Sequence, residues 1–370
     1  MTRIFLTEYA TACTEQTTLV DNLKYPQYCH MLPDVYKGVK GGFRYVPHKI
    51  ADEVLKPATM SYCVNHPAKT AFILASGNAH FAGINPRTIN DNELTYQYRF
   101  MPLTLTQVFA GKVAPLFGKV DLIMTDASAC ASSLHVLTKV RELVHMYGFE
   151  RVIVLGVEDA VSNSVLDFFG EAGASLQLKQ YEQGIRPSAF DSVNHSFHIG
   201  QGAVFALFET EEFADTPKAE LLGAYSASED STDVLGQRED GQGFVKAIRG
   251  ALEIAEVPHY TDFIVKTHGT GTQSNNMAER NALYEVFKDR FIATSYKARI
   301  GHTMGASGLL ETCLLLDSII KENKVPCILN RTETDRTYLS EDAKPNSRYI
   351  VSSAAGMGNI YSSAIFDWAL

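Results

Sequence analysis

Short apolar runs rich in branched residues alternate with longer stretches of helical periodicity. This alternation restricts the chain to an α/β architecture whose sheets are covered on both faces. The runs TAFILAS (70–76), DLIMT (121–125), RVIVLGV (151–157), GAVFALFE (202–209), DFIVKT (262–267) and YIVSSAA (349–355) predict strands, each flanked by polar or glycine-containing turns. The segment 131–148 predicts a helix, because Leu134, Leu137, Val140, Val144 and Tyr147 recur at three- and four-residue steps and Gly148 is a good terminator. Segments 276–289 and 305–323 behave in the same way, and the second is apolar enough to be a central, buried helix.

Two stretches echo one another. DLIMTDASAC and DFIVKTHGTGT each run from an Asp-led strand through small residues towards a helix, which suggests a duplicated unit with one catalytic loop from each half. The polar, acidic stretch 224–243 reads as a linker or as an exposed loop of the second half.

Composition narrows the functional classes. A net charge of −9 argues against nucleic acid as a main partner, since phosphate binding needs a local excess of Lys and Arg. No apolar run reaches the length of a membrane span, and the first residues lack the sustained apolar segment of a secretory signal. The six cysteines show no CxxC spacing, so they read as thiols of a reducing cytoplasm and not as a disulfide framework or a metal site.

Three loops carry candidate chemistry. In the first, Cys130 sits among Ala127, Ser128, Ala129, Ala131, Ser132 and Ser133 at the start of a helix. The helix dipole and backbone N–H groups there should favour thiolate, the attacking species, although a tightly packed strand–helix junction would look much the same. In the second, His268 ends a strand, while Gly269 and Gly271 let the chain turn so that Thr270 and Thr272 present hydroxyls. In the third, Lys297 precedes His302, and Glu311 follows within the apolar helix; a buried Lys and Glu there would have to pair. One thiol and two imidazoles suit acyl transfer through a thioester, and two neutral N–H donors suit an enolate left by decarboxylation.

In this order the loops resemble the motifs of the β-ketoacyl synthases, the condensing enzymes of fatty acid and polyketide synthesis. SACASSL is similar to their nucleophile motif, HGTGT to their first histidine motif and KARIGHTMGASG to their lysine–histidine motif. More weakly, 186–209 resembles a segment with a Gly-Glu-Gly strand entry, and SSAAGMGNIYSSAIF (352–366) the C-terminal Gly-Phe-Gly-Gly loop. The matches span 121 to 366, with little to align in the first 100 residues. The resemblance implies a thiolase-like, layered α-β-α-β-α fold from two related halves, 1–210 with the cysteine and 211–370 with the histidines. It implies that Cys130 accepts the acyl chain, that His268 and His302 assist decarboxylation, and that Lys297 pairs with Glu311. It also implies that Thr270 and Thr272 bind the phosphopantetheine arm of an acyl carrier protein, that the backbone N–H groups of Cys130 and Met357 form the oxyanion hole, and that no cofactor is permanently bound.

The departures from the family pattern carry expectations of their own. Asn276 stands where an Asp is usual, which should alter a network near the lysine, while the matching Glu279 is kept. Gln201 replaces a glutamate, Ala355 and Met357 replace phenylalanines, and Asn359 replaces a glycine. Methionine at the gate position suggests altered acyl-chain selection. The altered gate, with a chain some tens of residues shorter than is usual, points to a specialised polyketide or unusual fatty acid pathway. An acidic carrier protein needs a basic patch, and Lys37, Lys40, Arg44 and Lys49 offer one. The family forms dimers, so a homodimer or a pair with a related subunit is expected. The competing readings are a non-catalytic, chain-length-factor-like partner, which usually loses the nucleophile, and an acyltransferase that forms no carbon–carbon bond.

Overall fold

The computed structural model of the chain describes residues 2–33, 46–56, 66–77, 105–258, 260–334 and 336–370. Its strands are β1 (Ile4–Ala12), β2 (Thr18–Val20), β3 (Gln27–His30), β4 (Thr70–Ala75), β5 (Leu122–Asp126), β6 (Arg151–Asp159), β7 (Ile199–Thr210), β8 (Ala219–Ser228), β9 (Phe263–Lys266), β10 (Phe291–Thr294), β11 (Tyr349–Gly356) and β12 (Ile360–Asp367). Its helices are α1 (Val46–Asp52), α2 (Thr106–Val113), α3 (Ser132–Tyr147), α4 (Asn163–Glu171), α5 (Leu178–Glu182), α6 (Gln242–Ala255), α7 (Gln273–Phe287), α8 (Lys297–Ile300) and α9 (Ser307–Glu322). All six strands and all three helices read from periodicity are present within a few residues.

Strand order shows the duplication. The main path runs β10-β9-β11-β12-β8-β1-β7-β6-β4-β5 and is symmetric about the β8/β1 junction. In the first half β4 lies parallel to β5 and β6, while β7 is antiparallel to both β6 and β1. In the second half β9 lies parallel to β10 and β11, while β12 is antiparallel to β11 and β8. The halves are thus related as predicted, but the echo read from the sequence is out of step. It aligns β5 with β9, whereas strand position equates β5 with β10 and β4 with β9. The counterpart of the Cys130 loop is therefore the His302 loop, and not the His268 loop.

Strand alternation sorts side chains into layers. Ala71, Ile73 and Ala75 of β4 and Ile264 of β9 face a shared central core with Leu134 and Leu137 of α3 and Leu309 and Leu316 of α9. Phe72 and Leu74 point the other way, onto α2 residues Phe109 and Val113. Phe263 and Val265 pack against α6 and α7 through Ile248, Ala282 and Leu283. The result is the expected α-β-α-β-α stack, with α3 and α9 sandwiched between the two half-sheets. That position explains the apolar sequence of α9.

The linker reading of 224–243 needs correction. Its first residues complete β8, paired with β12 from Glu220 to Ser228, and its last begin α6. Only the intervening turn-rich stretch is a loop. Lys37, Lys40 and Arg44 lie outside the described residues, and Lys49 is exposed on α1. No helix among the described residues is long and apolar enough to cross a membrane.

Candidate active site

After β5 the chain turns through a 3-10 segment, Ala129–Ala131, directly into α3, and Ala129 adopts a φ of 47°. A non-glycine residue in this left-handed region is strained, and such strain is a common property of turns that hold a reactive side chain out from the backbone. The second half repeats the device: Met304 has a φ of 42° at the head of the 3-10 turn Met304–Ala306 that leads into α9. The two turns meet, and the Cys130 thiol points at Met304 Sδ, 3.8 Å away. Small residues are required here, since a Cβ on Gly305 would lie 2.2 Å from the Gly77 nitrogen and one on Gly308 2.8 Å from Leu134 Cβ.

His268 leaves the end of β9 into a glycine turn where Gly269 and Gly271 have φ of 53° and 79°. The buried Glu279 carboxylate on α7 accepts the N–H groups of His268 (2.6 Å) and Gly269 (2.9 Å) and the Ser353 hydroxyl (2.6 Å). His302 follows Gly301, donates its backbone N–H to the His198 carbonyl at 2.7 Å, and has Nδ1 3.0 Å from Ser307 Oγ. The two imidazoles lie 5.6 Å apart, centroid to centroid, at an interplanar angle of 80°. Burial, with the Lys297 and Lys266 ammoniums nearby, holds both well below the usual histidine range, so both rings are neutral.

Burial also decides the state of the cysteine. It pushes the Cys130 thiol up to about 12 against the opposing pull of Lys297. The thiolate expected from the helix start is thus not the resting form, because desolvation outweighs the dipole in so enclosed a site.

Lys297 and Glu311 pair as predicted, Nζ to Oε1 at 2.9 Å, both buried. Sequence reasoning missed Lys266, whose Nζ lies 3.4 Å from Glu311 Oε2 and donates to the Ser353 carbonyl at 2.8 Å. It also missed Glu158, a fully buried carboxylate on β6 that accepts the Gly77 and Gly305 N–H groups at 2.7 and 3.0 Å and ties the Met304 turn to the end of β4.

Cys130, His268, His302, Thr270, Thr272 and Met357 all line one cavity of about 440 Å³, whose remaining wall includes Phe168, Phe169 and Phe197. Lys297 and Glu311 are buried and do not line it. The hydroxyls of Thr270 and Thr272 lie 3.0 Å apart. Met357 is 39% exposed at the mouth. The Gly356 backbone presses on the cysteine turn, because a Cβ there would lie 2.7 Å from the Ser128 carbonyl and 3.2 Å from the Ala131 nitrogen. A larger cavity of about 630 Å³ adjoins this one at Gly173 and Thr272, another of about 830 Å³ lies elsewhere, and no cysteine lines either among the described residues. No cluster of three or more metal-ligating side chains occurs among the described residues.

The departures have specific partners. Gln201 accepts the Leu32 N–H at 3.0 Å and donates to Asp159 at 2.7 Å, which a carboxylate at the same position could not do. Asn276 does not join the lysine network as expected. It accepts the Phe190 N–H at 3.0 Å and donates to the Gly271 carbonyl at 3.3 Å, so it braces the threonine loop from outside.

Residues 49–214 match the family description "Beta-ketoacyl synthase, N-terminal domain" and residues 218–332 match "Beta-ketoacyl synthase, C-terminal domain". The chain belongs to the β-ketoacyl synthase family. The match reaches well upstream of the first motif. A 3-oxoacyl-[acyl-carrier-protein] synthase homolog of Saccharomyces cerevisiae is 28% identical over 301 residues, 75% of this chain and 65% of that protein. A 3-oxoacyl-[acyl-carrier-protein] synthase 2 of Vibrio harveyi is 25% identical over 281 residues, 72% of this chain and 67% of that protein. The chain thus spans about two thirds of the length of these curated relatives. Among solved structures, a β-ketoacyl synthase from Burkholderia phymatum superposes with a TM-score of 0.82 at 20% identity, covering 100% of both chains. A ketosynthase in complex with its chain length factor from Xenorhabdus doucetiae gives 0.82 at 17% identity, covering 100% of this chain and 98% of that one. At such identities the likeness carries the ketosynthase fold alone.

Proposed function

We propose that this β-ketoacyl synthase family member condenses an acyl thioester with a malonyl thioester, both delivered on the phosphopantetheine arm of an acyl carrier protein. The observation that carries the reading is one cavity lined by a thiol and two neutral imidazoles. In the loading step the Cys130 sulfur attacks the acyl carbonyl, its proton passes to a neutral imidazole on the same wall, and the carrier thiol leaves. The backbone N–H groups of Cys130 and Met357 receive the transient oxyanion; losing one such donor typically costs about 10²–10³ in rate. Malonyl thioester then enters, carbon dioxide leaves, and the His268 and His302 N–H groups stabilise the enolate oxygen. The enolate carbon attacks the acyl-cysteine carbonyl, a carbon–carbon bond forms, and the cysteine sulfur is released. Thr270 and Thr272 hold the carrier arm, while Lys297 and Glu311 order the wall behind it.

A chain-length-factor-like partner role is the alternative, and the retained Cys130, His268 and His302 argue against it. A transferase that makes no carbon–carbon bond would not need both imidazoles. The expected assembly is a dimer, with itself or with a related subunit, working without a permanently bound cofactor. The methionine at the cavity mouth supports unusual acyl selection, as a specialised pathway requires.

The test is incubation with a panel of acyl carrier proteins, reading acylation of Cys130 by intact mass, followed by malonyl carrier protein and a search for a product two carbons longer. Loading and extension support condensation. Loading without extension supports transfer alone, and absence of loading supports the partner role. Cys130→Ala must abolish loading, or the nucleophile is misassigned.

A further inference from the structure

Lys266 is a buried cation of the site that the condensation chemistry leaves without a part. Its side chain has no exposed surface, yet it ends an otherwise apolar strand. Alternation along β9 sends it to the same face as Ile264, towards α9, where its Nζ meets the Ser353 carbonyl and Glu311 Oε2. Lys297 occupies the other oxygen of that carboxylate. Two buried ammoniums therefore share one carboxylate. Ser353 links the arrangement to Glu279, which in turn holds the backbone N–H of His268.

We propose that Lys266 is a positioning residue that anchors the strand end bearing His268 and adds to the burial that keeps both imidazoles in their uncharged, donating form. This rests on the reading of His268 and His302 as donors to an enolate. Lys266 from β9 and Lys297 from α8 bear on both imidazoles, Glu279 on α7 holds the His268 backbone N–H, Glu311 on α9 takes both ammoniums, and Glu158 on β6 bears with Lys297 on the Cys130 thiol. Without Lys266 one cation remains, and the surroundings turn towards favouring imidazolium, which cannot accept the cysteine proton. Burial already draws the Lys266 ammonium down to about 8, with Glu311 opposing, so its charge is present at neutral pH.

The experiment compares full-length wild type, Lys266→Met, Lys266→Gln and Lys266→Arg. Imidazole titration is read by NMR on histidine-labelled protein, assigned with His268→Gln and His302→Gln, beside the pH profile of malonyl-thioester decarboxylation. In Lys266→Met and Lys266→Gln the imidazole titration and the acid limb of decarboxylation should both move up by about one pH unit, and Lys266→Arg should return both towards wild type. Folded, uncharged variants whose imidazole titration stays in place overturn the proposal. So does collapse of both uncharged variants while Lys266→Arg folds, which would assign Lys266 to the fold alone. A wild type that neither loads acyl groups nor decarboxylates malonyl thioester refutes the function proposed above, while the NMR titration still decides the role of Lys266.

Discussion

Replacing Lys266 with methionine should make the protein more stable at neutral pH, although the residue serves the site. The ammonium is drawn from 10.5 down to about 8 by burial, only partly offset by Glu311. At about 1.4 kcal/mol per pH unit, holding it charged in the folded state costs about 3 kcal/mol below pH 8. Methionine fills a similar length with apolar atoms and leaves no orphan charge, since Glu311 keeps Lys297. The variant loses the hydrogen bond to the Ser353 carbonyl, worth about 1 kcal/mol, so the net gain at pH 7 is about 2 kcal/mol. The sign follows from proton counting: between 8 and 10.5 the unfolded chain binds more protons than the folded one. Wild-type stability therefore rises through that window relative to the variant, and above it the gap reverses to favour wild type by about the 1 kcal/mol of that hydrogen bond. Urea denaturation followed by circular dichroism at neutral and alkaline pH measures the difference. A variant less stable than wild type at pH 7, or a gap that stays constant with pH, would refute the reasoning.

Other substitutions test neighbouring parts of the structure. Gln201→Glu sets a second carboxylate 2.7 Å from Asp159, so one of the two must hold a proton. The expected loss is about 2 kcal/mol at pH 7, recovering as pH falls through the raised carboxyl value, and thermal melts at the two pH values would show it. Gly356→Ala puts a methyl 2.7 Å from the Ser128 carbonyl and displaces the cysteine turn, so acyl loading should slow by about 10²-fold in a protein that still folds. Unchanged loading would separate that loop from the oxyanion site. Met357→Phe stiffens the half-exposed mouth, and competition between short and long acyl donors should shift by about tenfold towards the short ones.

The chemistry-bearing loops were legible because each needs small residues beside one reactive side chain, a local demand that shows in the sequence. The Lys297–Glu311 pair was legible for a related reason, as two charges inside an apolar surround must find each other. Lys266 was not, because a lysine closing a short strand looks like an ordinary surface residue until α9 is laid over it. Glu158 was hidden in the same way at the end of β6. Strand β8 reads as linker because Tyr225 and Ser228 point to solvent, and only its pairing with β12 shows it to be sheet. The echo slipped by one strand because Asp-led strands look alike, whereas position within a sheet is set by partners distant in the chain.

The paired left-handed turns carry a consequence for symmetry. The residue after the strained position is Cys130 in one turn and Gly305 in the other. Two identical half-length chains joined about such an axis would have to place the same atom on both sides. Sulfur on one side and a bare glycine on the other therefore require two halves that differ in sequence, which is how a symmetric scaffold carries a chemically polarised site.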